Sequence, residues 1–452
     1  MTEAPAAAPT DPRSLPVVIV GAGMAGLVCA LSLHEGGQRV RVREAAAGVG
    51  GRVRSDRTPD GFIIDRGFQV LLDAYPAARR WVDYAALRAL PFDAGAHVWT
   101  GRRLVPLANP LLHPGAAIRD LTSSVFGLED KARLAALALR VLRADWQSAA
   151  EASESPLGDL AARDALRSLG FSAAFIDRFA RPFWGGIQLD PTLSQSAGGM
   201  FFTLRMFLAG RAVLPADGIG AMPDALAGRL PADAIRLNAP VSDLVRDAGG
   251  AVTGVRCGGE EISAAAVVVA ADPPAARALT GIERIPSASD GLPSVTVYLA
   301  GSDDPGIGPR LIVNGQRLGA VNHVAPLSEV QPGYARAGMR LLAAVAVGEA
   351  ALADDDAIAG SARAEVAAML GQPAAAWRVV AVRRVPFSQF AQPPGIHQRL
   401  PGNEPGPAGL FLASEATVDS SYNGAMLSGE GAARAVLRTL ARASKTGGRR
   451  GA

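Results

Sequence analysis

The sequence predicts an α/β protein in which a discontinuous, Rossmann-like domain is combined with a second, mixed α+β domain that carries a helical cap. Three observations predict this fold class. The first is a β-branched run, Val17–Val20, followed by a glycine-rich turn and an Ala/Leu-rich helical stretch. The second is helical periodicity in the middle of the chain, as in Asp130–Glu151. The third is an apolar strand followed by a polar loop and a helix over residues 409–442.

Length and composition indicate a folded protein of two domains. The 452 residues, of which 49% are hydrophobic and 19% charged, exceed what one compact core accommodates. The net charge of +3 is small for this length and gives no reason to expect a nucleic-acid partner. Cys29 and Cys257 are the only cysteines and the five histidines are scattered, so we expect neither a disulfide framework nor a metal site.

The N-terminal region gives an expectation about location. Residues 1–14 have neither a basic start nor an apolar core, so a signal peptide is not predicted and we expect a cytoplasmic protein. The uncharged stretch 17–33 is borderline in length for a membrane span, which needs about 20 residues. Its order of strand, glycine turn and helix instead indicates a cradle for a cofactor.

The glycine turn matches the fingerprint of a dinucleotide-binding βαβ unit. Glu44 follows its third glycine by 18 positions, where an acidic residue can accept hydrogen bonds from an adenosine ribose. A second glycine pair further along allows backbone N–H groups to approach a diphosphate, and an arginine there can add a charge-assisted bond. The predicted nucleotide-binding residues are Gly21, Gly23, Met24, Ala25, Gly26, Glu44, Ala45, Gly50, Gly51 and Arg52.

With these motifs the chain resembles the FAD-containing amine oxidase and phytoene desaturase superfamily, in its phytoene desaturase-like branch. The run VVIVGAGMAGL, the glutamate and the GGR turn are similar to that family's fingerprint. Further similar stretches are LPADGIGAMPDALAGRL, FARPFWGGIQLDPTLSQSA and FLASEATVDSSYNGAMLSGEGAARAVL. The resemblance implies a flavoprotein oxidoreductase that binds FAD, with Val241 at the adenine end and Ala271 among the cofactor contacts.

The last of these stretches predicts how the flavin end is held. A strand ending at Ala413 places Glu415 where a carboxylate can bond the ribityl hydroxyls, and Ser414 stands where the family usually has glycine. A helix beginning near Asn423 aims free N–H groups and a positive dipole end at the flavin pyrimidine ring. No cysteine lies in this motif, so we expect non-covalent FAD. The predicted contacts are Ser414, Glu415, Asn423, Gly424, Ala425 and Met426.

The changes of pattern along the chain predict the domain boundaries. We expect the FAD-binding domain to comprise residues 1–75, 215–285 and, with the C-terminal tail, 405–452. We expect the substrate domain to comprise residues 76–214, which form the helical cap, and 286–404.

The remaining features favour a hydrophobic substrate over an amine. Many amine oxidases have a lysine that hydrogen-bonds a water near flavin N5, but the only lysines are Lys131 and Lys445, neither of them suitably placed. Tyr422, either half of an aromatic cage or a structural residue, and His323, a possible pocket residue, are the catalytic candidates. No base is assigned. The predicted pocket residues are Phe183, Trp184, Phe202 and Met206, with a core role open for each.

The sequence therefore predicts FAD-dependent removal of hydride from a small hydrophobic substrate, with a carotenoid or other isoprenoid as the first choice. Three alternatives stay open: an amine or protoporphyrinogen-type oxidase that uses oxygen, a redox-neutral flavin isomerase, and a non-catalytic flavin-binding protein. The electron acceptor is expected to be oxygen or a quinone. The apolar, proline-rich segment Val105–Leu128 is expected to link the domains, with peripheral contact to the inner face of a membrane as the alternative.

Overall fold

The computed structural model describes residues 15–108, 125–316 and 319–448. The N-terminal segment 1–14 and most of the Val105–Leu128 segment lie outside these ranges, so the expectations stated for them stay predictions. The chain folds into two compact units. The first comprises Met1–Gly51, Pro223–Ser287 and Leu400–Ala452, and the second comprises Arg52–Met222 and Ala288–Arg399. The domain boundaries expected from the sequence stay a prediction.

The strands are distributed along the whole described chain. In chain order they are β1 (Val17–Val20), β2 (Val40–Arg43), β3 (Ser55–Arg57), β4 (Ile63–Asp65), β5 (Leu71–Leu72), β6 (Leu90–Pro91), β7 (Gly95–Trp99), β8 (Leu104–Ala108), β9 (Ala212–Leu214), β10 (Ile235–Arg236), β11 (Val241–Arg246), β12 (Val252–Cys257), β13 (Glu260–Ser263), β14 (Ala266–Val269), β15 (Gly291–Gly301), β16 (Leu311–Asn314), β17 (His323–Ala325), β18 (Arg340–Val347), β19 (Arg378–Phe390) and β20 (Leu410–Leu412).

The helices are numbered in the same way. They are α1 (Met24–Glu35), α2 (Pro76–Trp81), α3 (Leu128–Leu142), α4 (Ala149–Ser153), α5 (Ala162–Ser168), α6 (Ala173–Phe175), α7 (Arg181–Ile187), α8 (Ala197–Ala209), α9 (Ala221–Ala227), α10 (Pro273–Thr280), α11 (Leu327–Val330), α12 (Asp355–Leu370), α13 (Ile396–Arg399) and α14 (Tyr422–Gly448). A π-helical turn, Ile176–Ala180, joins α6 to α7.

The first unit is built on a five-stranded parallel sheet in the order β10-β2-β1-β14-β20. Its central strands β1 and β14 are buried along their whole length, as expected for apolar strands covered on both faces. A separate antiparallel sheet, β11-β12-β13, contains a hairpin turn in which the Asp247 carboxylate accepts from the backbone N–H of Gly249 and Ala251. The predicted α/β class is confirmed.

Helices α1 and α14 of the first unit pack closely and run in the same direction. A Cβ on Gly429 of α14 would lie 2.5 Å from the carbonyl oxygen of Ala25 in α1, so this crossing requires glycine. Further along, Gly36 lies against Leu437. Residue numbers rise together along the two helices, so both N-termini point toward the same end of the unit.

The second unit is built on a seven-stranded sheet in the order β19-β15-β18-β17-β16-β7-β8. Within the described residues, β16 and β7 pair in parallel, and all the other neighbouring strands of this sheet pair antiparallel. One face packs against α12 through an apolar cluster that includes Val297, Leu342 and Ile358. The helices α3 to α8 surround a further core that includes Phe175, Trp184 and Met200.

The stretch with helical periodicity, Asp130–Glu151, lies in two helices. Helix α3 ends at Leu142, and Ser148 caps the start of α4 by accepting from the N–H of Glu151. Within the stretch assigned to the cap, residues 90–108 form β6, β7 and β8. Val98 and Val105 bury one face of the β7–β8 pair, a period-two pattern that the helical reading overlooked.

No helix within the described ranges is both long enough and apolar enough to cross a membrane. The same ranges contain no cluster of His, Cys, Asp and Glu side chains arranged to hold a metal ion.

Candidate cofactor site

The three glycines of the first turn are each required for a different physical reason. Gly21 has a φ of +108°, and a Cβ there would lie 2.6 Å from the carbonyl oxygen of Ala270. A Cβ on Gly26 would lie 2.1 Å from the carbonyl oxygen of Gly21, so this glycine permits close packing of α1 on the turn. A Cβ on Gly23 would meet nothing within 4 Å, which leaves its backbone open to close approach by a ligand.

The N-terminus of α1 provides donors at this open position. Gly23 caps the helix without a side-chain hydrogen bond, and the first turn has no acidic residue. The first N–H groups of an α-helix have no partner within the helix, and the helix dipole adds a partial positive charge. Met24 and Ala25 contribute such groups, so this turn can bind a diphosphate.

The second glycine pair lies beside the first turn. Gly50 donates its N–H to the carbonyl of Ala22 and forms a parallel bridge with Gly23. Gly50 and Gly51 have φ values of +104° and +60°, and a Cβ on Gly51 would lie 3.6 Å from the Cα of Gly23. Two turns that are separate in sequence therefore form one glycine-lined cradle.

The carboxylate of Glu44 fastens the end of β2 to this cradle. It is 9% exposed, and its Oε2 accepts from the N–H of Ala22 at 2.7 Å while Oε1 accepts from the N–H of Ala46 at 2.8 Å. Each carboxylate oxygen has a further lone pair, which a ribose hydroxyl can use. Ala45 is exposed beside it.

Arg52 belongs to the second unit. Its Nη1 donates to the carbonyl of Ser388 at 2.7 Å, and its guanidinium lies 6.0 Å from the ring centroid of Phe387. The contact of Arg52 with a diphosphate stays a prediction.

The predicted flavin segment has a defined local structure in the first unit. Ser414 is buried and accepts from the N–H of Ala416, which starts a short 3₁₀ turn at Glu415. Helix α14 begins one residue before the predicted Asn423, and Ser421 Oγ caps it by accepting from the N–H of Gly424 at 2.9 Å. Asn423 and Met426 are fully buried, and Ala425 is half-buried.

Asn403 organises this segment and was missed by the sequence analysis. Its Nδ2 donates to the carbonyls of Leu412 at 2.8 Å and Ser428 at 3.1 Å, which lie in β20 and α14. A hydrogen bond of 2.7 Å between the hydroxyls of Thr417 and Ser428 closes the network. A single asparagine in a polar loop carries no pattern, so only the tertiary structure could identify it.

The remaining predicted contacts also belong to the first unit. Val241 is the first residue of β11, where it is half-buried and opposes Cys257. The N–H of Ala271 follows β14 and lies 3.1 Å from the position of a Cβ on Gly21. Ala271 therefore borders the glycine cradle.

The N-termini of α1 and α14 suit a two-ended ligand. A Cβ on Gly429 would also lie 3.0 Å from the backbone nitrogen of Cys29 and 3.1 Å from Cβ of Val28, so helix α14 extends about three residues further toward the cofactor end than α1 does. At 1.5 Å per residue this is about 5 Å. Two helix N-termini at the same end of the unit can hold the diphosphate and the flavin end of one dinucleotide, so the residues present fit FAD.

The predicted substrate-pocket residues lie in the second unit and are largely core. Trp184, Phe202 and Met206 are at most 2% exposed, and Phe183 is half-buried. Phe202 stacks on Tyr75 with ring centroids 5.9 Å apart. Their role as a pocket stays a prediction.

The two catalytic candidates lie in different units. Tyr422 is the half-buried first residue of α14. His323 begins β17, and burial lowers the pKa of His323 to about 4. Its Nδ1 lies 2.9 Å from Oδ1 of Asn322, which fits a neutral ring that donates from Nδ1.

Gly186 makes room for this Asn322–His323 pair. A Cβ on Gly186 would lie 2.5 Å from Oδ1 of Asn322 and 2.8 Å from Nδ1 of His323. The GG pair at the end of α7 is visible in the sequence, but the residues that it contacts are more than 130 positions away.

The parallel sheet, the glycine cradle, the carboxylate at the end of β2 and the α14 N-terminus define an FAD-dependent oxidoreductase. The chain belongs to the flavin-containing amine oxidoreductase family, whose sequence model matches residues 24–437. Bound FAD supplies the two-electron acceptor for this class of reaction.

Three proteins show what the chain is similar to, and the chain spans only a small part of the two curated relatives it matches. The chain is 43% identical over 63 residues to human lysine-specific histone demethylase 2, a match that covers 14% of this chain and 8% of that protein. It is 29% identical over 100 residues to the 15-cis-phytoene desaturase of Arabidopsis thaliana, covering 20% of this chain and 18% of that protein. The structure of wild-type putrescine oxidase bound to putrescine is similar over 95% of this chain and 99% of that one, with a TM-score of 0.68 and 18% identity.

Proposed function

We propose that the protein uses FAD to remove hydride from a hydrophobic substrate and so introduces a double bond, with a carotenoid or other isoprenoid as the substrate class. The observation that carries this proposal is a buried apolar cluster on one face of the seven-stranded sheet. We call it the apolar wall and define it as Phe68, Leu189, Leu292, Val345 and Val347, which pack together.

The apolar wall is built on directly opposed strand positions. His323 of β17 opposes Val345 of β18, which opposes Thr296 of β15, so the three side chains share one face of the sheet. Phe68 is fixed on this face because its N–H donates to Thr296 Oγ1 at 3.0 Å. The ring of Phe68 lies 5.4 Å from the imidazole of His323. Since burial keeps that imidazole neutral, it adds hydrogen-bonding capacity to the apolar wall without adding charge.

Leu189 is held in the apolar wall at a cost in backbone strain. Its φ is +55°, a left-handed conformation that is unfavourable for leucine. The buried carboxylate of Asp190 compensates by accepting from the N–H and hydroxyl groups of Thr192 and Ser194. Strain of this kind persists only where the surrounding structure holds it, and the Asp190 hydrogen bonds hold it here.

The positions of the lysines also favour this proposal over amine oxidation. Lys131 lies on α3 with its Nζ 5.9 Å from the ring centroid of Phe126, and Lys445 lies near the end of α14. The lysine that many amine oxidases have near the flavin therefore has no evident counterpart in the described residues. The similarity to a phytoene desaturase supports the isoprenoid class.

The test is anaerobic mixing of the purified holoenzyme with a panel of carotenes and amines while the flavin absorbance is recorded. Bleaching by a carotene is the expected result. Bleaching by amines alone would refute the substrate class. A preparation that lacks flavin absorbance and takes up no FAD would refute the proposed reaction itself.

A matched pair of variants tests the apolar wall. Leu189 and Leu193 are both buried leucines with left-handed φ values of +55° and +57°, but Leu193 packs in the helical core. Leu189→Gly and Leu193→Gly therefore remove similar side chains and relieve similar strain. We expect only Leu189→Gly to slow bleaching by the substrate at unchanged FAD content. Equal effects of the two variants would contradict a role of the wall in substrate contact.

A second candidate function is an amine or protoporphyrinogen-type oxidase that uses oxygen. The family description and the fold similarity to putrescine oxidase support it. Rapid reoxidation of the reduced enzyme by air, with peroxide as product, would favour this candidate. Slow reoxidation by air but rapid reoxidation by a quinone would favour the desaturase.

The proposal includes a location. The enzyme would act in the cytoplasm, and a carotenoid substrate would require peripheral contact with the inner face of a membrane. Sedimentation of the protein with lipid vesicles tests this part separately.

A further inference from the structure

The end of β2 carries a buried arginine that the predicted nucleotide site does not include. Arg43 is the last residue of β2 and directly precedes Glu44. It lies level with Val20 of β1 and Arg236 of β10, at the carboxyl edge of the parallel sheet, where ligands bind in such folds. Only 7% of Arg43 is exposed, whereas Arg41, on the same face of the strand, is exposed.

The guanidinium of Arg43 lacks the partners that a buried cation needs. Its Nη1 donates to the carbonyl of Val42 at 3.2 Å, but its Nε is buried without a hydrogen-bond partner among the described residues. Burial lowers the pKa of Arg43 from its ordinary value, the charge interaction with Cys257 opposes this shift, and the charges of Arg41 and Arg236 add to it. A buried cation with so few partners is unfavourable unless a ligand compensates for its burial.

The adjacent carboxylate is not that compensating partner. Both oxygens of Glu44 accept backbone N–H groups, from Ala22 and Ala46. Glu44 is thereby directed to the glycine cradle.

The surroundings of Arg43 identify the part of FAD that would reach it. Along β1 the chain passes from Val20, level with Arg43, directly into the glycine turn. Arg43 is also close enough to Cys257 for their charges to interact, and Cys257 opposes Val241, the predicted adenine contact. A ligand with its diphosphate in the cradle and its adenine at Val241 therefore passes Arg43.

We propose that Arg43 binds the adenosine half of FAD, with its planar guanidinium against the adenine ring. A guanidinium stacks on aromatic faces and donates to ring nitrogens, which an ammonium group cannot do equally well. The contact would replace the hydration that Arg43 loses on burial. It concerns the cofactor alone and holds whichever substrate the enzyme uses.

The test compares Arg43→Met with Arg41→Met, which alters the same residue type on the same face of the same strand. Apoprotein is prepared from each holoenzyme, and the dissociation constants of FAD, ADP and AMP are measured by calorimetry or by displacement. We expect Arg43→Met to weaken all three ligands by the same factor, about tenfold for a desolvated cation–π contact. We expect Arg41→Met to change each constant less than twofold.

Two further measurements separate binding from a structural role. Removal of a buried cation whose Nε has no hydrogen-bond partner in the described part of the chain should leave the apoprotein of Arg43→Met at least as stable to heat as the wild-type apoprotein. Arg43→Lys keeps the charge but loses the planar group, so we expect it to weaken AMP as Arg43→Met does.

Four results would overturn the proposal. They are unchanged FAD affinity in Arg43→Met, weakened FAD with unchanged AMP, full affinity in Arg43→Lys, and an apoprotein of Arg43→Met that unfolds at a lower temperature than the wild type.

Discussion

Asp65 gives the sharpest prediction about the stability of the second unit. This carboxyl group, at the end of β4, is 1% exposed. Its Oδ1 accepts from Ser55 Oγ at 2.5 Å and from the N–H of Ile219 at 3.0 Å, and its Oδ2 accepts from Tyr334 OH at 2.9 Å. These donors are neutral, and burial outweighs them and raises the pKa of Asp65 to about 6.

The raised pKa has a definite sign for stability. In the unfolded chain Asp65 loses its proton near pH 3.8, whereas in the folded protein it keeps the proton until about pH 6. The stabilising contribution of Asp65 to the free energy of unfolding is therefore fully present below pH 3.8 and is lost as the pH rises to about 6. A shift of this size corresponds to about 3 kcal/mol, of which about 2 kcal/mol falls between pH 4.5 and pH 7.5.

Asp65→Asn removes this titration and keeps the shape of the side chain. The amide oxygen can accept from Ser55 and Ile219, and the amide nitrogen can donate to the Tyr334 oxygen. We expect the stability of the variant, relative to the wild type, to increase by about 2 kcal/mol between pH 4.5 and pH 7.5.

The assay is urea unfolding followed by tryptophan fluorescence at several pH values. All five tryptophans lie in the second unit, so the signal reports on the unit that contains Asp65. Asp56→Asn is the control. The pKa of Asp56 is lowered, first by its hydrogen bond with Arg66, so it titrates below this range and its difference from the wild type should stay nearly constant. A constant difference for Asp65→Asn would refute the reasoning.

Three further predictions concern the cradle, the helix crossing and the substrate domain. Gly429→Ala should lower FAD affinity and thermal stability, because the new Cβ would meet the backbone of α1. The control Gly360→Ala lies in open space within α12 and should stabilise the protein by about 0.5–1 kcal/mol. Thermal scans and FAD titrations of both variants measure these effects. Glu44→Gln should raise the FAD dissociation constant about tenfold or more, because its amide group would face a backbone N–H; equal affinity would contradict the proposed ribose site. Gly186→Ala should displace His323 and slow turnover at unchanged FAD content. The ¹⁵N chemical shift of His323 Nδ1 should change in this variant. An unaltered shift would contradict the contact between Gly186 and the Asn322–His323 pair.

The first unit could be predicted in detail from the sequence because its signals are local. Val17–Val20, the glycine turn and α1 are contiguous, and every step from strand to turn to helix depends on neighbouring residues. The same holds for β20 followed by α14. Glycine positions with left-handed φ or a close backbone contact could be assigned to the cradle for the same reason.

The second unit was harder to predict because its structure depends on contacts between distant residues. The helical periodicity of Asp130–Glu151 did not reveal the cap at Ser148 that separates α3 from α4, and strands β7 and β8 were missed because they are short and lie between helices. Buried aromatic residues such as Trp184 and Phe202 look alike in sequence whether they line a pocket or fill a core.

The sequence by itself determined the class of cofactor, because the glycine spacing and the position of Glu44 express constraints on a short piece of backbone. Only the tertiary structure could place Asn403 across β20 and α14, bring Phe68 to His323, and leave the Nε of Arg43 buried without a hydrogen-bond partner among the described residues. Each of these depends on side chains from segments that are far apart in sequence or on neighbouring strands. Such contacts form only when hydrophobic burial brings the segments together, and no local pattern records them.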